Sequence, residues 1–156
     1  MVIMPKVLPL VFNPDPRLRE VSKEIKPKEI PGYASLIADM EKTMEADKGI
    51  GLAAPQIGQN IRLILVSHKD GVVAMFNPKL LKKSLRKEWG NEGCLSIPGI
   101  FGDVRRHKNL ACAFIDKNGI ARMIEAEGLM ARIIQHEIDH LDGILFIDKA
   151  KNIHEG

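Results

Sequence analysis

Two histidines and a glutamate in the last quarter of the chain have the spacing of a metal site. The run reads His136-Glu137-Ile138-Asp139-His140. On a helix, side chains four residues apart project from the same side, so both imidazoles can reach one ion, and Glu137 can face a water bound there. The pattern indicates hydrolytic metal chemistry. The alternative is a pair of hydrogen-bonded histidines on a buried helix.

The third ligand of such an ion separates the known classes of site, because a catalytic ion needs three protein ligands and one open position. Metzincin-type peptidases use a third histidine six residues after the second, and that position is Phe146. Thermolysin-like enzymes use a glutamate roughly twenty residues further on, and only sixteen residues follow His140. We therefore expect the third ligand upstream of the helix.

Cys94 is the upstream candidate. It lies in residues 92–99, where two glycines and a proline predict irregular backbone that could bring a thiolate to the ion. A buried, uncoordinated cysteine and a disulfide with Cys112 are the alternatives. For Cys112, within the apolar run 110–115, we expect only a buried side chain.

A third stretch, residues 49–58, is rich in glycine and alanine. Small residues allow another backbone to approach closely, and Gln56 would bring an amide donor to such a place. The stretch lacks the lysine and the spacing of a phosphate-binding loop. Taken alone, it predicts only a flexible loop.

Two helices are predicted from apolar residues that recur with a helical period. The first covers residues 31–47 and ends before Gly49. The second begins after Gly128, and we expect it to be buried on most sides because it has two apolar stripes. Those stripes are Leu129, Ile133, His136 and His140, and Met130, Ile134, Ile138 and Leu141.

Two β-hairpins are predicted between the helices. Residues 61–66 and 72–76 flank the turn signal Asp70-Gly71, with Asn77-Pro78 ending the second strand. Residues 110–115 and 120–124 flank a second turn that contains Asn-Gly. Strands and helices do not alternate regularly, so we predict an α+β fold with antiparallel strands around a buried C-terminal metal-binding helix.

Length and charge limit the class of protein. The chain has 156 residues, of which 45% are hydrophobic, and a net charge of +3 from 23 basic and 20 acidic residues. This length predicts one catalytic domain over residues 1–156. The near balance of charge argues against a specific nucleic-acid site or a membrane surface.

Cysteine content and the start of the chain bear on its compartment. The two cysteines form no CxxC pair or disulfide framework, which favours a reducing compartment. The opening residues Met1–Lys6 do not begin a signal peptide, and no apolar run reaches eighteen residues. We expect a cytoplasmic protein, or an organellar or viral equivalent, without a targeting segment.

The three stretches together, in this order, resemble the peptide deformylase family and its motifs GxGLAAxQ, EGCLS and QHExDHLxG. The resemblance also takes in Asn13–Arg19, Phe76–Pro78 and Val104–Gly119, and so covers nearly the whole chain. It implies the peptide deformylase fold. It also implies hydrolysis of the formyl group from the N-terminal formylmethionine of newly made polypeptides, with release of formate.

The resemblance further implies a ligand set and a proton carrier. Cys94, His136 and His140 would bind one divalent ion, Fe²⁺ in the cell, with Zn²⁺, Ni²⁺ or Co²⁺ as alternatives. Glu137 would accept a proton from the attacking water and return it to the departing amine.

Binding of the substrate is implied in the same way. The backbone N–H of Leu95 and the side-chain amide of Gln56 would stabilise the negative oxygen that forms during hydrolysis. An apolar pocket would take the methionine side chain, and an extended peptide would pair with the backbone near Gly51. The residues expected to contact the substrate are Ile50, Gly51, Leu129 and Ile133. The partners are N-formylmethionyl nascent peptides.

The chain departs from the family pattern in two respects. Many bacterial members continue into a long C-terminal helix that docks on the ribosome, whereas thirteen residues follow Gly143 here. Ribosome contact would therefore be transient and would need another surface. A basic stretch is the candidate, although a solvated strand edge is the expected role of its residues Lys79, Lys82, Lys83, Arg86 and Lys87.

The second departure concerns substrate contacts. Some members place an arginine seven residues after the metal cysteine, and this chain has Phe101 there. Neither Arg105 nor Arg106 is assumed to replace it.

Two rival functions stay open from the residues alone. Another HExxH metallohydrolase, such as a peptidase acting on internal bonds, would share the ion and Glu137 but need an open cleft. A non-enzymatic, metal-stabilised module would add a fourth protein ligand and would not need Glu137.

Overall fold

The computed structural model describes residues 4–156. Met1–Ile3, which belong to the expected untargeted start, lie outside the described residues. The described part contains the helices α1 (Ala34–Ala46) and α2 (Gly128–Leu141) and short 3-10 turns at Pro16–Arg19, Pro27–Tyr33, Ala54–Ile57 and Phe146–Asp148. Its strands are β1 (Gly51–Ala53), β2 (Leu63–His68), β3 (Gly71–Lys83), β4 (Lys87–Cys94), β5 (Ile97–His107), β6 (Asn109–Ile115), β7 (Ala121–Glu127) and β8 (Lys151–Glu155).

The strands form two antiparallel sheets. The larger has the order β1-β2-β3-β6-β7, and the smaller has the order β4-β5-β8. Two helices accompany the antiparallel sheets, so the predicted α+β class is confirmed. In residues 4–156, no helix has both the length and the apolar character needed to cross a membrane.

The larger sheet is covered by a helix on each face, which explains the unbroken apolar run of β2. Leu63 and Leu65 pack in the cluster that contains Met40 and Met44 of α1. The alternate residues of β2 pack in a second cluster with α2, whose members include Ile134. Because side chains alternate across a strand, both faces of β2 are buried. The helix that carries the histidines is thereby fixed against the sheet.

The predicted boundaries of α1 and β3 are partly wrong. The segment before α1 is a 3-10 turn that runs to Tyr33 and contains Pro31, which has no N–H to donate. The first hairpin forms as predicted, with Val66 opposite Val73. However, β3 continues past Asn77-Pro78, because the pairing with β6 shifts register between Phe76 and Lys79. A proline without an N–H is tolerated at such a bulge.

The second hairpin joins β6 and β7, with Ile115 opposite Ala121. The exposed basic residues of the stretch 79–87 lie on the end of β3 and the start of β4, as expected for a solvated strand edge.

The strands of the smaller sheet are not predicted by an alternation of apolar and polar residues. β4 contains glycines and charged residues, and every residue of β8 is exposed. Its buried side consists of a few residues such as Val104 and Ile97, which pack with Phe146 and Leu18. This sheet brings the end of β4, with Cys94, up to helix α2.

Candidate metal centre and active site

Helix α2 and the end of β4 bring the three predicted ligands together. Cys94 Sγ lies 3.3 Å from His140 Nε2, and ligand atoms of Cys94, His136 and His140 all lie within 4.8 Å of one another. Ligands of a tetrahedral ion with bonds of about 2.0–2.3 Å are roughly 3.5 Å apart. One cysteine sulfur and two imidazoles at this spacing suit a divalent ion.

The cysteines themselves settle one alternative. Cys94 and Cys112 are both free, so the disulfide interpretation is wrong. Cys112 is fully buried in β6, as predicted. Burial raises the pKa of its thiol to about 11, and Cys112 is not part of the cluster that Cys94, His136 and His140 form.

Glu92 orients one of the imidazoles. Its Oε1 accepts a hydrogen bond of 2.8 Å from Nδ1 of His136, which leaves Nε2 of that ring free to bind a metal ion. Burial opposes ionisation of Glu92. Hydrogen bonds from His136 and Arg106 outweigh that cost and hold the pKa of the carboxyl far below its usual range. Glu92 is therefore a buried anion behind the metal site.

Two arginines neutralise that anion. Arg106 Nε and Nη2 lie 3.0 and 2.9 Å from its two oxygens, and Arg132 Nη1 lies 2.7 Å from Oε2. Arg106 also bonds Asp139 on α2. Only 4% of Arg106 is exposed. It lies beneath the centre and does not replace a substrate-contacting arginine, and Arg105 is exposed outside the cavity.

Glu137 lies on the cavity side of α2. Its side chain is buried, and its Oε1 has no hydrogen-bond partner among the described residues. Burial raises the pKa of this carboxyl to about 7. A group with a pKa near neutrality can both accept and return a proton. A buried oxygen without a protein partner suits a carboxylate that bonds a water or substrate.

Burial keeps His140 in its neutral form, whereas Glu92 is kept in its charged form. Burial lowers the pKa of its imidazole well below the usual value. The ring is therefore neutral, and a neutral imidazole is the form that binds a metal ion.

Gln56 points its amide donors toward the same centre. The N–H of Ala53 donates to Gln56 Oε1 at 2.9 Å, which fixes the amide with its nitrogen on the other side. That nitrogen lies 3.5 Å from Cys94 Sγ and 3.1 Å from Ser96 Oγ. Leu95 follows Cys94 in the turn between β4 and β5 and also lines the cavity. Both candidate donors thus lie beside Cys94.

A cavity of about 790 Å³ opens over this centre. All four residues expected to contact the substrate, Ile50, Gly51, Leu129 and Ile133, line it. Ile133 is also part of the core cluster under α2. Leu129 and Ile50 are 63% and 50% exposed, so they lie at the mouth and not deep in the pocket. β1 is an edge strand of its sheet, which leaves its outer side open to an extended peptide.

Substitution of Gly51 by Ala is expected to lower turnover by about tenfold or more. A Cβ at Gly51 would lie 2.5 Å from Glu137 Oε2 and 2.8 Å from Ile133 Cγ2, so the carboxylate would have to move. Small displacements of a catalytic group are costly. The matched control is Gly32→Ala, because a Cβ there meets no atom within 4 Å. Equal steady-state rates for the two variants would contradict this placement of Glu137.

Sequence reasoning missed Glu92 and Arg106 as supports of the centre. The sequence offers one indication of the role of Glu92, because this residue lies two positions before Cys94. Its partner Arg106 lies on the neighbouring strand, opposite Glu88, and this pairing is visible only in the folded sheet.

The fold and the centre define a metal-dependent hydrolase with a buried acid–base carboxylate. The sequence profile described as Polypeptide deformylase matches residues 7–155. The chain belongs to the peptide deformylase family, as its motifs predicted.

Individual relatives agree with this assignment. The chain is 46% identical over 139 residues to the peptide deformylase of Carboxydothermus hydrogenoformans, covering 89% of this chain and 90% of the relative. A peptide deformylase from Synechococcus elongatus, crystallised with actinonin, matches with a TM-score of 0.88 and 38% identity over 97% of this chain and 85% of that one. A Met-Ala-Ser-bound class I type b peptide deformylase from Acinetobacter baumannii matches with a TM-score of 0.88 and 32% identity, over 94% and 99% of the two chains.

The protein is therefore an enzyme that removes the formyl group from the N terminus of new polypeptides, and its activity depends on a metal ion. The fold is the predicted peptide deformylase fold. Neither rival function, a peptidase of internal bonds or a non-enzymatic metal module, agrees with this membership.

Proposed function

We propose that Cys94, His136 and His140 hold the ion and that Glu137, Gln56 and Leu95 carry out deformylation around it. The observation that carries the proposal is the convergence of a thiol, two imidazoles and a buried carboxylate with an open oxygen on one cavity. When bound, the ion would polarise the formyl carbonyl and lower the pKa of the attacking water.

Glu137 moves the proton in this proposal. Its Oε1 takes a proton from the water that attacks the formyl carbon. The same proton is then delivered to the amide nitrogen as the C–N bond breaks. The water oxygen leaves in formate, and the peptide leaves with a free amino terminus. The buried position of Glu137 keeps bulk water from competing for that proton.

Gln56 and Leu95 stabilise the charge that forms on the carbonyl oxygen. Gln56 is suited to this because its oxygen is already occupied by Ala53, so only N–H donors face the centre. The backbone N–H of Leu95 supplies the second donor next to Cys94. Fixed donors of this kind contribute about 3 kcal/mol each to transition-state stabilisation.

The substrates are peptides that begin with formylmethionine. Ile133, with Ile50 and Leu129 further out, offers apolar surface to the methionine side chain. The open edge of β1 at Gly51 offers backbone pairing that does not depend on side chains. The Met-Ala-Ser peptide bound to the A. baumannii relative supports a peptide that begins with methionine as the ligand here.

The setting of the reaction follows from this substrate. We place the enzyme in the cytoplasm, where formylated chains are made, as one catalytic domain over residues 1–156. The profile match over residues 7–155 supports the single domain. Contact with the ribosome need only be transient.

The ion in the cell is proposed to be Fe²⁺, and anaerobic purification followed by metal analysis tests this. Thiolate and imidazole ligands accept several first-row ions, so availability decides among them. We expect iron near one equivalent and activity that declines in air, because oxidation of Cys94 destroys a ligand. Reductant should slow the decline. Zinc at full occupancy together with activity that is stable in peroxide would contradict the proposal.

A further inference from the structure

The mouth of the active-site cavity is lined by large apolar side chains from four separate segments. They are Phe12, Ile50, Phe101 and Leu129. Phe12 and Ile50 are each 50% exposed, and Leu129 is 63% exposed. Exposed apolar side chains that gather around a cavity indicate a surface that binds another molecule.

Phe101 is packed closely on both sides within the smaller sheet. It lies opposite Gly93 in the β4–β5 pairing, where a Cβ would come within 2.7 Å of its Cε1. On the other side it is paired with β8, where His154 stacks at a centroid distance of 6.2 Å. A Cβ at Gly156 would also lie 2.7 Å from its Cδ2. These contacts hold the Phe101 ring in place. Its neighbour across the strand pair, Gly93, directly precedes Cys94.

The charged side chains at the mouth of the cavity do not favour substrates of either charge. Among the described lining residues, Asp47 and Lys48 are the exposed charges, and they are adjacent and opposite. Arg132 is engaged with Glu92 and with two backbone carbonyls. Glu137 is buried in the interior. The surface that a peptide crosses as it leaves the cavity is therefore mainly apolar.

We propose that Phe101 is a specificity-determining residue, which with Phe12 favours formylmethionyl peptides carrying a large apolar side chain at the second or third position. The inference rests on the proposed function, because the formyl group must sit at the metal centre. An extended peptide advances about 3.3 Å per residue. The residues that follow methionine then pass over the mouth of the cavity. There they pack against Phe101, which is paired with β8.

The test compares kcat/KM for two peptide series, formyl-Met-X-Ser and formyl-Met-Ala-X, with X as Leu, Asp or Lys. At one position or both, Leu should exceed Asp and Lys by about tenfold, mainly through KM, as expected for partial burial of an apolar side chain. The preference should persist at high salt because it is not electrostatic.

Two substitutions of Phe101 test whether this side chain causes the preference for Leu. Phe101→Ala should reduce the Leu/Asp ratio to about threefold or less, and Phe101→Leu should retain most of it. The control is Leu85→Ala, which truncates an apolar side chain that is 98% exposed and outside the cavity, and which should keep the full ratio. Each ratio is taken within one variant at measured metal content, so a partial loss of folded protein cancels.

Equal kcat/KM for Leu, Asp and Lys at both positions would overturn the inference, as would a ratio unchanged in Phe101→Ala or one abolished by salt. Failure of the proposed function would look different. No peptide in either series would then release formate, whatever its second or third residue.

Discussion

Changing Glu137 to Gln is expected to leave the ion bound and to reduce turnover by on the order of 10³–10⁴-fold. The carboxylate is not a ligand, so its replacement by an amide of the same shape does not remove a metal bond. It does remove the buried carboxylate that is placed to take a proton from water and return it to the amine. General acid–base groups contribute effects of this size.

The measurement is formate release at saturating peptide together with metal analysis of the same sample. Glu125→Gln is the matched control, because Glu125 is an exposed carboxylate on β7 and should behave as wild type. Loss of the ion from the Glu137 variant, or near-normal turnover with the ion bound, would contradict the assigned role.

Changing Cys94 to Ala should remove a metal bond and with it the ion. The remaining imidazoles of His136 and His140 cannot hold a catalytic ion tightly, because structural and catalytic sites of this kind need at least three protein ligands. Turnover should fall by on the order of 10³-fold at ordinary metal concentrations, and metal content should drop far below one equivalent after dialysis.

Cys112→Ala is the control for that substitution, because it removes the other thiol from a buried position without touching the centre. It should lower stability somewhat through lost packing while keeping metal and turnover. A Cys94 variant that retained one tightly bound ion would show that the ligand set is wrong.

The parts of this site that lie on one helix could be predicted from sequence. The histidines of α2 fall on one stripe of an apolar helical pattern, and that local period survives folding. The cysteine and the glutamine are distant in sequence. The family's motifs predict their place in the site, whereas helical or strand periodicity alone predicts only a buried thiol and a flexible loop.

The smaller sheet and the support of His136 could not be predicted in this way. β4 and β5 bury few side chains, so their apolar alternation is weak. The ion pairs of Glu92 with Arg106 and Arg132 join residues 14 and 40 positions apart. Such contacts depend on sheet register and on helix docking, which no local pattern records.

The central claim is that this centre hydrolyses the formyl amide of formylmethionyl peptides. It is tested most directly by loading the purified protein with Fe²⁺ or Ni²⁺ and measuring formate and free amino termini from formyl-Met-Ala-Ser. We predict that the two products appear in equal amounts, and that acetyl-Met-Ala-Ser and internal amides yield none. Absence of formate at full metal occupancy, or cleavage of internal amides in its place, would contradict the account.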